Sequence, residues 1–126
     1  MTTKRKAPLK GIDLVRAIAL TLPDVEEGTS YGTNAFLLRK KLLARLQDDP
    51  NVLVLSTAPD TRDMLLDAYP KQFFVTDHYR GQSYVLVNLK TVSKALLNDL
   101  LEQAWRRAAS ARQIKQFDSA SQRVRR

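Results

Sequence analysis

Apolar side chains recur every three or four positions in three parts of the chain, which is the spacing of one face of an α-helix. The first part is residues 12–22, and Pro23 ends it because proline cannot continue a helix. The second part opens at residues 59–61, which offer capping side chains, and it runs to Pro70. The third part, residues 93–108, opens on a serine that can cap it. The pattern therefore predicts three helices.

Short runs of apolar or alternating residues predict five strands. Residues 36–39 and 42–46 form a predicted hairpin around the turn Lys40-Lys41, with Leu42, Ala44 and Leu46 on its packed face. The other strands are residues 52–56, 73–76 and 84–89. The acidic segment DVEEGTSYG, which lies between the first helix and the hairpin, predicts a loop.

The predicted order of elements is α-β-β-β-α-β-β-α, which indicates an α+β fold. Because strands joined by hairpins cannot be parallel neighbours, we expect an antiparallel sheet of about five strands with three helices on one face. After residue 109 the apolar periodicity fades into a polar segment. The 126 residues therefore divide into a basic N-terminal arm (1–11), one domain (12–109) and a basic, flexible C-terminal tail (110–126).

Composition narrows the class of protein. Hydrophobic residues make up 44% of the chain, which is enough for one core. The chain has no cysteine, which excludes disulfides and thiolate metal sites and fits a reducing cytoplasm. The apolar segment 12–22 carries two charged residues and is too short to span a bilayer. We therefore expect a cytoplasmic protein with no membrane partner.

The formal net charge of +8 is concentrated at the two ends of the chain. Four of the 21 Lys and Arg residues lie in residues 1–11, and seven lie in residues 106–126 beside a single carboxylate. Residues 12–105 hold ten basic and twelve acidic side chains. Basic arms bind nucleic acids because each neutralised phosphate releases a counterion, but such arms also serve as plain solubilising tails.

A candidate nucleic-acid-binding site lies on the predicted hairpin. Arg39, Lys40, Lys41 and Arg45 carry four positive charges with no acidic residue between them. A protruding β-ribbon with such a tip can contact the phosphates of DNA or RNA. The alternative is a solvated hairpin whose lysines block edge-to-edge pairing. No aromatic residue lies between these charges, so they give no support for base stacking at this tip.

A second candidate site is a pocket for a small anionic or aromatic ligand. It would be lined by Tyr31, His78, Tyr79, Arg80 and Trp105. Alternatively, Tyr31 and Trp105 are core residues with one polar edge satisfied.

No set of residues in the sequence forms a recognisable catalytic site. His78 is the only histidine, and the chain has no GxSxG motif, no P-loop and no GxGxxG. We therefore expect a protein that is not an enzyme and that needs no metal and no cofactor. An enzyme built on His78 remains an alternative.

Four stretches in this order and spacing resemble the MmcQ/YjbR family of small bacterial proteins. They are LPDVEEGTSYGTNAF at 22–36, TDHYRG at 76–81, YVLVNL at 84–89 and LLEQAWRRAA at 100–109. The resemblance covers about residues 12–109. It implies an α+β fold related to the double-wing domain of a phage transcription factor, and by that analogy a DNA-binding function. Relatives have a glycine near the first hairpin turn, where this chain has lysines.

Two functional hypotheses follow. The first is a non-enzymatic nucleic-acid-binding protein that uses the hairpin and the basic ends. The second is a small-ligand-binding or protein-interaction module that uses the predicted pocket. The sequence does not indicate the oligomeric state.

Overall fold

The computed structural model describes residues 9–124 and contains four helices and six strands. The helices are α1 (Gly11–Ala19), α2 (Pro59–Ala68), α3 (Lys94–Ala108) and α4 (Ala111–Val124). The strands are β1 (Val25–Ser30), β2 (Thr33–Leu38), β3 (Lys41–Leu46), β4 (Val52–Ser56), β5 (Phe73–Phe74) and β6 (Tyr84–Asn88). All six strands form one antiparallel sheet in the order β1-β2-β3-β4-β6-β5. Residues 1–8 of the predicted arm and 125–126 of the predicted tail lie outside the described residues.

The predicted α+β class and antiparallel sheet are confirmed, but the predicted count of five strands is wrong. The additional strand, β1, lies where the acidic segment predicted a loop. It is rich in acidic residues and contains Gly28, both uncommon in strands. It nevertheless pairs with β2 along its whole length, from Val25 opposite Leu38 to Ser30 opposite Thr33. Pairing with a neighbouring strand therefore outweighs the local preference of these residues.

The prediction of three helices is also wrong, because α4 occupies residues that were expected to form a flexible tail. Ile114 and Phe117 of α4 pack against the core, and the Phe117 and Trp105 rings lie 4.9 Å apart between centroids. The Asp118 carboxylate accepts a hydrogen bond of 2.7 Å from Arg106, which lowers the pKa of Asp118. The apolar stripe of α4 is narrow. The helix α4 is stabilised by packing on α3.

The four helices contribute to one core on one face of the sheet. Leu14 of α1, Leu65 of α2 and Leu101 of α3 are buried in the same cluster as the inward side chains of the strands. Trp105 is 0% exposed, and its Nε1 donates a hydrogen bond of 2.9 Å to the Pro23 carbonyl oxygen. No helix within residues 9–124 has both the length and the apolar composition needed to cross a bilayer.

A β-bulge in β3 determines which side chains reach each face of the sheet. Ala44 pairs with Phe36 and Leu42 pairs with Leu37, so Leu43 is an extra residue between them. Leu43 and Ala44 both join the core, whereas Leu42 does not. The predicted alternation of Leu42, Ala44 and Leu46 on one face is therefore wrong. We call the face opposite the helices the open face.

Both hairpins that involve β2 have two-residue turns with positive φ. Tyr31 and Gly32 have φ of 52° and 78°, and Arg39 and Lys40 have φ of 50° and 71°. The second turn is therefore Arg39-Lys40, one residue before the predicted turn, and Lys41 already pairs in β3. Such turns favour Asn-Gly, because positive φ strains a residue that has a Cβ atom.

We expect Arg39→Asn combined with Lys40→Gly to stabilise the protein by about 1 kcal/mol, because the new residues tolerate the left-handed backbone. The midpoint of urea unfolding, followed by circular dichroism, measures the change. Lys90→Gly is the control, since Lys90 is an exposed loop lysine without positive φ. An unchanged or lower midpoint for the double variant would show that the turn is not strained.

Candidate functional site

Four cations gather at the end of the sheet where α3 finishes. Arg39 and Lys40 are exposed in the β2–β3 turn. Lys41 Nζ donates a hydrogen bond of 3.2 Å to the Ala108 carbonyl oxygen at the end of α3. Arg107 donates one of 3.1 Å to Ser56 Oγ. We call Arg39, Lys40, Lys41 and Arg107 the basic end. In the part of the chain that the structure describes, none of the four forms a salt bridge.

The structure corrects the expectation of a protruding ribbon. β2 and β3 are inner strands that lie between β1 and β4, so only their turn projects from the sheet. Neither strand is an edge strand, so the lysines do not guard an edge. The four predicted cations also separate: Lys41 lies on the helix side, whereas Arg45 pairs with Ala35 on the open face.

A groove of about 570 Å³ crosses the open face. Its lining includes Tyr31, Leu42, Arg45, Val54, Tyr79 and Tyr84. The loop 77–82 forms one wall, where Tyr79 packs on Val54 and Leu86. His78, Gln82 and Asp48 complete the rim. We call this hollow the open-face groove.

Arg45 is held in the open-face groove by three contacts. Its guanidinium carbon lies 5.0 Å from the centroid of the Tyr31 ring, a cation–π distance. One of its nitrogens donates a hydrogen bond to the Tyr79 hydroxyl, and another donates one of 3.1 Å to the Leu46 carbonyl oxygen. The guanidinium is therefore held in a fixed orientation beside an exposed aromatic ring.

Three of the five residues predicted to form a pocket line the open-face groove: Tyr31, His78 and Tyr79. Trp105 does not, because it is buried in the core on the other face of the sheet. Arg80 is exposed and forms a salt bridge of 3.4 Å with Asp77, outside the groove lining. Of the two alternatives for Trp105, the core position is the one found. Tyr31 is instead 87% exposed.

A second hollow, of about 560 Å³, lies over β1 and the β2–β3 turn and has acidic walls. The Glu27 carboxylate accepts a hydrogen bond of 2.7 Å from Arg16, which holds the pKa of Glu27 below its ordinary value. Asp24 accepts one of 3.0 Å from Gln113, which is neutral. Glu26 is exposed and forms no salt bridge with any of residues 9–120. Asp24 and Glu26 therefore lie beside Arg39 and Lys40 without a salt bridge to any described residue.

The side chains of the open-face groove suit the binding of a ligand. No group of three His, Asp or Glu side chains among the described residues is placed to hold a metal ion. Asp77 bonds to Arg80, so it does not orient the His78 ring. The open-face groove offers instead aromatic rings, one fixed guanidinium and an apolar floor, which suit a ligand with planar rings and negative charge.

Sequence reasoning missed several residues at these sites. Arg107 joins the basic end only because α3 finishes beside β3, although its position in the last helical turn could have marked it as a cation at a helix C-terminus. Tyr84 reaches the open-face groove because the alternation along β6 places it there. The acidic segment already indicated Glu26, but its position beside Arg39 and Lys40 follows only from the pairing of β1 with β2.

Comparison with known proteins relates this fold to others. The crystal structure of the Deinococcus radiodurans protein DR2400, which has a DUF419 domain, is similar with a TM-score of 0.68 and 25% sequence identity. The similarity covers 89% of this chain and 91% of that chain. A search among curated proteins found no match to this sequence. The family model named YjbR matches residues 20–107, a range that omits α1 and α4. This match confirms the resemblance inferred from the sequence, and the chain belongs to the YjbR family.

Proposed function

We propose that this protein is a non-enzymatic nucleic-acid-binding protein of the cytoplasm. The observation that carries the proposal is the pair Arg39 and Lys40, which are exposed side by side and form no salt bridge with any described residue. Both occupy backbone positions that favour asparagine or glycine. Strained positions of this kind cluster at functional sites, where the side chain itself is needed.

The electrostatics of the basic end favour contact with phosphates through these two residues. The C-terminus of α3 carries partial negative charge, and Lys41 and Arg107 lie against it. Arg39 and Lys40 therefore remain available to bind an external anion. The formal charge of +8 adds a long-range attraction for polyanions, which raises the rate of encounter.

The test is the affinity for a labelled mixed-sequence oligonucleotide, measured by fluorescence anisotropy over a range of salt concentrations. We expect the affinity of the full chain to fall steeply with salt. Combining Arg39→Ala with Lys40→Ala should reduce the slope of log K against log salt by about 1–2, since each lost phosphate contact removes slightly less than one counterion.

Two control variants sharpen this test. Lys90→Ala removes an exposed lysine outside the basic end and should leave affinity and slope nearly unchanged. Glu26→Gln removes a carboxylate that repels phosphates beside Arg39 and Lys40, so it should tighten binding. Failure of the full chain to bind any oligonucleotide at low salt would end the proposal.

A second candidate function is the binding of a small anion with a planar ring. The observation that favours it is the open-face groove, whose volume of about 570 Å³ lies in the range of small-molecule sites. A ligand at 100 times its dissociation constant should stabilise the protein by about 2.7 kcal/mol. A thermal-shift screen of nucleotides and aromatic acids would reveal it, and Arg45→Ala should abolish the shift.

A further inference from the structure

We propose that the nucleic acid is single-stranded, that its bases lie in the open-face groove, and that its backbone continues to the basic end. This inference rests on the proposed function and adds the strand type and the second contact surface. It starts from Tyr31, which is 87% exposed although it is a large aromatic residue.

Tyr31 is placed as a stacking platform. It occupies a position of the β1–β2 turn with φ of 52°, where a residue with a bulky ring is strained. Its ring lies against the Arg45 guanidinium at 5.0 Å, which keeps the ring near the sheet instead of free in solvent. Proteins that bind single strands combine exposed aromatic rings with nearby cations, because every base presents a flat face for stacking.

Paired residues of β2 and β3 connect the open-face groove to Arg39 and Lys40, past the acidic side chains of the second hollow. The floor of the groove reaches Leu42, which pairs with Leu37 of β2, and Leu37 lines the hollow that contains Arg39 and Lys40. Arg45 and Lys41 pair with Ala35 and Leu38 of β2, and these three residue steps span about 10 Å at roughly 3.3 Å per residue. Bases stacked at roughly 3.4 Å per nucleotide would place about three nucleotides over this distance.

The same geometry disfavours the two competing ligands. The bases of a duplex are already stacked on one another, so their faces are not available to Tyr31. A mononucleotide is too short to reach both Arg45 and Lys40. Only a single strand can use the aromatic ring at one end of the path and the cations at the other.

The experiment compares three probes by competition against one labelled eight-nucleotide oligothymidylate. The probes are the unlabelled oligothymidylate, a G·C-rich duplex of about sixteen base pairs, and thymidine monophosphate. We expect the full chain to bind the single strand at least about tenfold more tightly than either competitor.

Variants at Tyr31 test whether the bases bind in the open-face groove. Tyr31→Asn keeps a residue that tolerates positive φ but removes the ring, and it should weaken single-strand binding by about 5- to 150-fold. Tyr31→Phe retains the stacking face and should bind like the unchanged protein. Tyr69→Ala removes a tyrosine that lies outside the groove and should also have little effect. Circular dichroism of each variant verifies that it is folded.

Three results would overturn the inference. Equal affinity for duplex and single strand, with Tyr31→Asn unchanged, would remove the inference and leave nucleic-acid binding at the basic end intact. Thymidine monophosphate binding as tightly as the oligomer would assign the groove to a small ligand. Absence of binding to both oligonucleotides would overturn the inference and the proposed function together.

Discussion

Trp105→Ala is expected to destabilise the protein by about 3–5 kcal/mol, and it is the most damaging single change that we foresee. The indole is fully buried beneath α1, and truncation would leave a large cavity between the sheet and the helices. The Pro23 carbonyl oxygen would also lose its hydrogen bond from Nε1. Because native domains are stable by about 5–15 kcal/mol, the variant would be close to unfolding at room temperature.

Chemical denaturation followed by circular dichroism measures this effect, since Trp105 is the only tryptophan and its removal abolishes that fluorescence signal. Trp105→Phe is the informative companion. It retains most of the packing but loses the donor, so we expect an intermediate loss. Phe74→Ala removes a partly exposed ring in β5 and should cost much less. Equal losses for Trp105→Ala and Phe74→Ala would contradict the described core.

Phe117→Ala is expected to destabilise the protein by about 2 kcal/mol and to loosen α4 from α3. The Phe117 ring lies 4.9 Å from the Trp105 ring and 5.3 Å from the guanidinium carbon of Arg106. These contacts make up most of the packing between the apolar stripe of α4 and α3. Without them, the partly buried ion pair between Arg106 and Asp118 remains, but it does not replace the lost apolar contact.

Hydrogen exchange of the α4 amides separates local detachment from global unfolding. In the variant, we expect the α4 amides to exchange much faster, whereas those of β4 and β6 should remain protected. Gln116→Ala changes an exposed residue of the same helix and serves as the control. Unchanged protection of α4 would mean that its docking does not depend on this ring.

The elements that could be predicted are those whose local signals agree with their environment. The long apolar stripe of α3 and its capping serine gave the helix correctly, and Ser93 Oγ does accept a hydrogen bond of 3.1 Å from the Leu96 amide. β4 and β6 were likewise predicted from the sequence, because their apolar runs are buried on both faces of the sheet. β1 and α4 were not predicted, because β1 forms by pairing with β2 against its own composition and α4 packs on α3 through a narrow apolar contact.

The candidate sites were harder to predict than the fold, for a related reason. Adjacency in the sequence grouped Lys41 with Arg45, but the two side chains serve different faces of the sheet. It also grouped Tyr79 with Arg80, although only the first turns toward the groove. Tyr31, by contrast, was predicted to line a pocket and lines the open-face groove. Its contact with Arg45 joins one residue from each of the two predicted sites, a link that no linear pattern contains.

The extra residue in β3 also bears on how this chain tolerates changes in length. If the strand alternated regularly from its turn, the Arg45 guanidinium would point into the apolar interior, which would cost several kcal/mol. Deleting Leu43 would instead restore regular alternation and leave every other side chain of β3 on its present face. A one-residue deletion at this point would remove the buried Leu43 side chain from the core but would avoid the inversion of side chains that a deletion after Ala44 would cause.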